Sequence, residues 1–303
     1  MPVQNKNVCI IGLGSMGMGA ALSCIKAGLN TWGVDINPLS CQSLIRAGAK
    51  DAGHSAIAFA AELDVVLLLV VNAEQVKNIL FGAEGLAPHL SLGTIVMVSS
   101  TLSAADACEI EKNLQSYGLL MLDAPVSGGA VKAACGEITV MASGSPEAFT
   151  GSKPVLEAIA SKVYCIGEAI GLGSTVKIIH QLLAGVHIAV SAEAMALAAR
   201  AGIPLNTMYD VVTHAAGNSW MFENRMQHVL EGDYSPKSAV DIFVKDLGLV
   251  NDTARSLKFP LPLATTALNM FTSASNAGYG GEDDSAVIKI FSGITLPEIK
   301  VEE

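Results

Sequence analysis

Charge is scarce in this sequence. Asp, Glu, Lys and Arg make up 15% of its 303 residues, against roughly a quarter in an average soluble protein. Acidic residues outnumber basic ones 28 to 18, for a formal net charge of −10. With no basic cluster, the chain lacks the electrostatic footprint needed for nucleic acid or an anionic membrane surface. Closely spaced cysteines are missing too. They stand at 9, 24, 41, 108, 135 and 165, and the nearest two are 15 positions apart. That excludes C-x-x-C redox and zinc spacings. Scattered single thiols read as packing residues of a reducing compartment, which predicts a cytoplasmic protein. Low-complexity segments are absent, and an apolar content of 51% argues against disorder.

Long uninterrupted apolar runs are also lacking, although the mean hydropathy of +0.46 raises the question of a membrane. A spanning helix takes about 20 consecutive, mostly apolar residues. The uncharged stretch Asn7–Ile25 holds Gly12, Gly14, Gly17 and Gly19, and Gly85–Ala105 is cut by Pro88 and Gly93. Ile178–Ala192 is 15 residues long and contains His180, Gln181 and His187. No transmembrane segment is expected. Lys6 before an apolar stretch imitates a signal peptide, but the glycine spacing gives that stretch a better reading.

The first half alternates short, β-branched apolar runs with helix-like stretches. The runs are Val8–Ile11, Thr31–Asp35, Val65–Val71, Thr94–Val98, Leu119–Leu122 and Ile138–Met141. They are apolar without alternation, as in strands covered on both faces by helices. Helical patterns fall near Met16–Ala27, Pro38–Ala47, Ala73–Leu80 and Ala104–Ser116. Strand–helix alternation predicts an α/β fold with a doubly wound parallel sheet. From Gly173 onward no strand run stands out. Ser174–Ala201 reads as one long helix closed by Gly202, and helices are expected over 204–215, 219–231, 238–257, 261–276 and 283–292. The chain therefore divides near residue 168, with an α/β domain over 1–168 and an all-α domain over 169–303.

Val8-Cys9-Ile10-Ile11 runs directly into Gly12-Leu13-Gly14-Ser15-Met16-Gly17 and then a helical pattern. This is G-x-G-x-x-G in its confirming context, between a strand and a helix. The first glycine permits the tight turn and the second lets a pyrophosphate approach the backbone. The third lets helix and strand pack closely, and the helix N-terminus offers its N–H groups to phosphate. Asp35 follows 18 positions after Gly17, where a carboxylate accepts from a ribose 2′-hydroxyl and repels a 2′-phosphate. No Arg follows it, so NAD is favoured over NADP.

At this point the sequence resembles the β-hydroxyacid dehydrogenase family, which includes 3-hydroxyisobutyrate dehydrogenase and tartronate semialdehyde reductase. Four motifs fall in the family's order across the whole chain. They are Gly12-Leu13-Gly14-Ser15-Met16-Gly17, Asp123-Ala124-Pro125-Val126-Ser127-Gly128-Gly129, Gly171-Leu172-Gly173 with Lys177, and Lys245-Asp246-Leu247. The resemblance implies a Rossmann-type first domain, an all-helical substrate and oligomerisation domain, and a homodimer or homotetramer. It maps the catalytic lysine onto Lys177, substrate contacts onto Ser127, Gly128 and Gly129, and cofactor contacts onto Val70, Val71, Thr101 and Lys245. The family usually carries Leu-Pro where Val70-Val71 stands. The residues themselves support Lys177, the only cation between Lys162 and Arg200. A desolvated lysine can take the hydroxyl proton as hydride leaves for a nicotinamide.

The chain departs from the family after that lysine. Where the family has K-x-x-N-N, this sequence has Lys177-Ile178-Ile179-His180-Gln181. Positions i+3 and i+4 share a helix face with the lysine, so His180 and Gln181 are expected to meet the substrate's further hydroxyls. A histidine here is similar to the 6-phosphogluconate dehydrogenase branch, although that branch is much longer. The pair, together with Gly217-Asn218-Ser219-Trp220-Met221-Phe222, resembles the subgroup acting at C2 of L-threonate. Trp220 reads as a pocket wall or as core packing, and His187 as structural. His54, His89, His214 and His228 form no ligand spacing, and Asp106, Glu109 and Glu111 read as a solvated helix face. No metal is expected. The readings left open are an enzyme for another acid of the family, an imine reductase, and a dinucleotide-binding module without catalysis. Lys177 argues against the last two.

Overall fold

The structure, a computed structural model, describes residues 6–299. Among them the chain forms two compact units, one ending at Lys177 and the other beginning at Ile178.

In the first unit nine strands form one sheet. Six of them are parallel: β1 (Asn7–Ile11), β2 (Asn30–Val34), β3 (Asp51–Gly53), β4 (Val65–Leu68), β5 (Ile95–Val98) and β6 (Leu120–Asp123), in the order β3-β2-β1-β4-β5-β6. This is the doubly wound dinucleotide-binding arrangement. Helices α1 (Ser15–Lys26), α2 (Pro38–Arg46), α3 (Ala73–Phe81) and α4 (Ala104–Ser116) connect the strands. Alternate residues of one strand feed two cores. Val8, Ile10, Val65, Leu67 and Met97 face one side, while Cys9, Ile11, Val66, Leu68, Val96 and Val98 face the other. Both faces are buried, which is why the runs are apolar throughout. Cys9 and Cys24 sit inside, and burial pushes both thiols up from their ordinary pKa.

The sheet does not stay parallel. After β6, the strands β7 (Val126–Ser127) and β8 (Ile138–Gly144) are antiparallel, and β9 (Ala160–Gly167) runs parallel to β8. β6 and β7 lie end to end along β8, both antiparallel to it and separated only by Ala124-Pro125. Helices α5 (Gly129–Cys135) and α6 (Pro146–Ile159) complete this part.

The second unit is helical, as expected. α7 (Leu172–Arg200) spans the division, and α8 (Leu205–Thr213), α9 (Trp220–Glu231), α10 (Val240–Ser256) and α11 (Pro262–Ala274) follow. The last expected helix is a 3-10 turn over Asp284–Ile290 rather than an α-helix. α7 is long and apolar enough to cross a membrane by length and composition, and half of its apolar window is buried in the fold. Phe243 and Phe271 stack at 5.1 Å in the core. A buried clasp ties α9 to the segment before Ile290. Arg225 Nε lies 2.5 Å from Asp284 Oδ1, and His228 Nδ1 lies 2.9 Å from Asp283 Oδ1. Burial pushes the Asp284 carboxyl up to about 6.

Phe271 is fully buried. Phe271→Ala is expected to lower the unfolding free energy by about 3–5 kcal/mol, read from denaturant midpoints. A cost below about 1 kcal/mol would contradict this packing.

Candidate active site

The glycine loop follows β1 and opens α1. Gly12 has φ +93°, and a Cβ on Gly17 would lie 1.7 Å from Gly12 O, so neither tolerates a side chain. Gly14 is different: a Cβ there meets nothing within 4 Å. Gly14 is also the N-cap of α1 and makes no side-chain capping bond. An open backbone edge at a helix start lacking a capping side chain fits a pyrophosphate.

Asp35 stands just beyond β2 and is tied to this loop. Its Oδ2 accepts from Leu13 N at 2.6 Å and its Oδ1 from Asn37 N at 2.7 Å. The carboxylate is therefore held in place with its remaining lone pairs available to a ribose. Val70 and Val71 follow β4. Val70 N donates to Ser100 Oγ at 3.1 Å, and Val71 N donates to Gln75 Oε1 at 2.8 Å. Thr101, half-buried, follows β5 beside Ser100. These groups and the glycine loop follow the carboxyl ends of β1, β2, β4 and β5, where open α/β sheets bind ligands.

Lys177 sits in the second turn of α7 and is only 6% exposed. The start of this helix is organised by a residue to which the sequence reading gave no role of its own. Asp123 ends β6 and is fully buried. Its Oδ2 accepts from Gly171 N at 3.0 Å and Ser174 N at 2.9 Å, and its Oδ1 accepts from Ser174 Oγ at 2.7 Å. Ser143 Oγ donates to the same carboxylate at 3.3 Å and accepts from Gly173 N at 3.0 Å. The first-turn amides of α7 would otherwise be buried without acceptors. Burial pushes the Asp123 carboxyl up, while the bonds from Ser174, Gly171 and Ser143 pull it back. Gly173 permits the close approach, since a Cβ there would lie 2.5 Å from Met141 O. The available signal was a lone acidic residue closing an apolar strand run. Ser127, Gly128 and Gly129 lie six residues or fewer beyond Asp123, at the β7–α5 junction, and Gly128 has φ +142°.

In the second unit His180 and Gln181 are adjacent on α7, with His180 Nδ1 3.0 Å from Gln181 Oε1. Gln181 Nε2 donates to Asp246 Oδ2 at 2.5 Å, and Lys245 Nζ lies 2.9 Å from Asp246 Oδ1. Gln181 and Asp246 are buried. The pairing of Gln181 with Asp246 spans 65 positions, and no local spacing announces it.

Other expectations resolve differently. Trp220 is 51% exposed, which removes the core-packing reading. Asp106 and Glu109 are bridged by Lys77 at 2.9 and 2.6 Å. Two surface hollows, one between α6 and β9 and one beside Gly202–Leu205, contain none of the residues above. Among the described residues, no group of three or more His, Cys, Asp or Glu is placed to hold a metal.

Comparison with known proteins agrees with this geometry. Residues 7–167 match the family described as the NAD binding domain of 6-phosphogluconate dehydrogenase. Residues 171–291 match that described as NAD-binding of NADP-dependent 3-hydroxyisobutyrate dehydrogenase. The chain is 72% identical to an L-threonate dehydrogenase of Escherichia coli strain K12, over 97% of each chain. It is 68% identical to an L-threonate dehydrogenase of Haemophilus influenzae, over 98% of this chain and 99% of that one. A crystal structure described as 3-hydroxyisobutyrate dehydrogenase from Salmonella typhimurium is 70% identical, with a TM-score of 0.92 over 94% of this chain and all of that one.

Asp123→Ala leaves two amides and two hydroxyls buried without this acceptor. The expected loss is about 2–4 kcal/mol of stability, measured by urea denaturation, and a loss below about 0.5 kcal/mol would overturn the anchoring role. Gly17→Ala is expected to abolish cofactor binding in a fluorescence titration, because the helix can no longer close on the loop.

Proposed function

We infer that this chain, which belongs to the β-hydroxyacid dehydrogenase family, oxidises L-threonate to a 2-oxo acid with a nicotinamide dinucleotide as acceptor. The observation that carries the substrate is the identity of 68–72% to enzymes named L-threonate dehydrogenase, over nearly the full chain. The helix α7 supports it, because Lys177 is followed by a histidine and a glutamine instead of two asparagines.

The bound cofactor supplies the hydride acceptor. Residues 1–168 hold it, and residues 169–303 form the substrate and oligomerisation domain. Gly12 to Gly17 receive the pyrophosphate at the start of α1, with Leu13, Ser15 and Met16 completing the turn. Asp35 accepts from the adenosine ribose, Val70 and Val71 line the adenine side, and Thr101 and Lys245 contact the cofactor further along. Ser127, Gly128 and Gly129 hold the substrate carboxylate. Lys177 Nζ takes the proton of the hydroxyl at C2 as the C–H hydrogen leaves with its electron pair, so one hydride and one proton depart and a carbonyl remains. In the reverse direction the ammonium stabilises the developing alkoxide. His180 and Gln181 meet the hydroxyls that are not oxidised.

NAD is the proposed acceptor. Asp35 is held by two backbone amides and followed by Ile36-Asn37-Pro38-Leu39-Ser40, with no cation to receive a 2′-phosphate. The second reading, oxidation of 3-hydroxyisobutyrate, is favoured by the description of the Salmonella structure. The assembly is proposed as a homodimer or homotetramer, because Ile179, Leu183, Val190 and Leu197 make a stripe on α7 that is 52–68% exposed. The partners are thus a small hydroxy acid and other copies of the chain. The cysteines are free thiols, as suits the cytoplasm.

Reduction of NAD and NADP is followed by absorbance with L-threonate, 3-hydroxyisobutyrate and other hydroxy acids. Turnover is expected with L-threonate and NAD, and turnover with 3-hydroxyisobutyrate alone would overturn the assignment. Lys177→Ala is expected to lose about 10²–10⁴ in kcat while NAD binding persists. Asp35→Ala is expected to shift the NAD/NADP preference by about tenfold or more, worth about 1.4 kcal/mol. A sedimenting monomer would remove the assembly.

A further inference from the structure

The side chains of Lys245, Asp246, Gln181 and His180 form a chain whose donors and acceptors can be assigned in only one direction. Asp246 is 2% exposed; its carboxylate forms an ion pair with Lys245, whose Nζ lies 2.9 Å from Oδ1, while Oδ2 accepts from Gln181 Nε2. A carboxylate in that position accepts only, so the Gln181 group facing it is the NH2 end. The carbonyl Oε1 of the same amide then faces His180 Nδ1 at 3.0 Å. Oε1 cannot donate, so Nδ1 carries the hydrogen. In the neutral ring, the lone pair is therefore on Nε2.

We propose that Asp246 is a positioning residue that locks His180, through Gln181, in the Nδ1–H tautomer, so that His180 Nε2 accepts a hydrogen bond from a substrate hydroxyl that is not oxidised. This rests on the assignment of a polyhydroxy acid as substrate and deepens it. A hydroxyl must donate to such an acceptor, so the device selects acids that bear an additional hydroxyl. An acid with hydrogen or methyl there offers Nε2 no donor, a form of mismatch that discriminates strongly. The asparagine pair usual in the family has no ring whose tautomer needs fixing. The apolar setting of α7 raises the stakes, since an amide free to flip would present either end to His180.

The test reads the tautomer directly. Two-bond 1H–15N spectra of uniformly labelled full-length protein are recorded at about pH 8.5, roughly two units above the ordinary imidazole value near 6.5. His180 is assigned by its loss in His180→Gln. The wild type is expected to show Nδ1–H. In Asp246→Asn the single carbonyl oxygen is claimed by Lys245, the amide NH2 faces Gln181, and Gln181 turns over. His180 is then expected to switch to Nε2–H. Asp246→Glu, which restores an acceptor-only group, is expected to keep Nδ1–H. Gln181→Met, which breaks the chain without touching Asp246, is expected to lose the lock.

Kinetics supplies the second readout. The ratio of kcat/KM for L-threonate over 2,4-dihydroxybutanoate and 2,3-dihydroxybutanoate, which each lack one hydroxyl, is expected to fall about tenfold or more in Asp246→Asn against one of the two. The KM for NAD is followed separately, because Lys245 shares the same carboxylate. An Nε2–H ring or an imidazolium in the wild type would overturn the proposal, as would a change confined to the KM for NAD. Should L-threonate not be turned over at all, the substrate assignment fails, while the tautomer spectra still decide whether the lock exists.

Discussion

The buried carboxylate of Asp123 is the interaction on which the rest depends. It closes the last parallel strand and receives the first amides of α7 together with the Ser174 hydroxyl. A buried charge is costly unless nearly every lone pair is used. Here it is surrounded by donors and lies at the positive end of a 29-residue helix. The arrangement satisfies both sides at once. The helix start would leave orphan N–H groups, and the carboxylate would lack solvation. Lys177 follows Ser174 by three residues, so the position of its Cα along the sheet edge is set by where Asp123 grips the helix.

The sheet explains why this grip can be rigid. Alternate side chains of β1, β4 and β5 enter separate cores on the two faces, which fixes the register of every strand. The carboxyl ends then form a firm edge, and the glycine loop, Asp35, Val70 and Thr101 are held there. Asp35 adds a cross-link by accepting from Leu13 within the loop itself. One carboxylate thus shapes the glycine turn and, in the proposed role, is also the group that would accept from the ribose. Any change that frees it disturbs both contacts.

Much of this was legible in the residues, and the physical reason is burial on both faces. Short, wholly apolar runs such as Val65–Leu68 and the helical pattern of Ala104–Ser116 declare themselves. The missed elements lack that signal. β3 and β7 are three and two residues long. β9 carries Ser161, Lys162 and Tyr164 and has no buried residue, so its pattern imitates a loop. α6 holds Pro154 inside its span. The glycine turn and the burial of Lys177 were readable because their sequence signals are local. Asp123 with Ser174 and Gln181 with Asp246 are 51 and 65 positions apart, and only the fold brings them together.

The scarcity of charge then acquires a structural consequence. A polar side chain on the buried face of an apolar helix needs a partner of defined hydrogen-bonding sense, because burial removes the solvent that would accommodate either choice. On α7 the buried polar groups are few, and Ser174 and Gln181 are each answered by a buried carboxylate from a different element. Asp123 answers at the helix start, and Asp246 answers nearly two turns later. Each partner accepts only, so each imposes a direction on the group it meets. That direction sets the helix start before Lys177 and passes along the amide to His180. A helix with more charge and more water would leave both orientations open. The sparse polarity that first suggested a membrane is what makes every remaining polar contact on this helix specific.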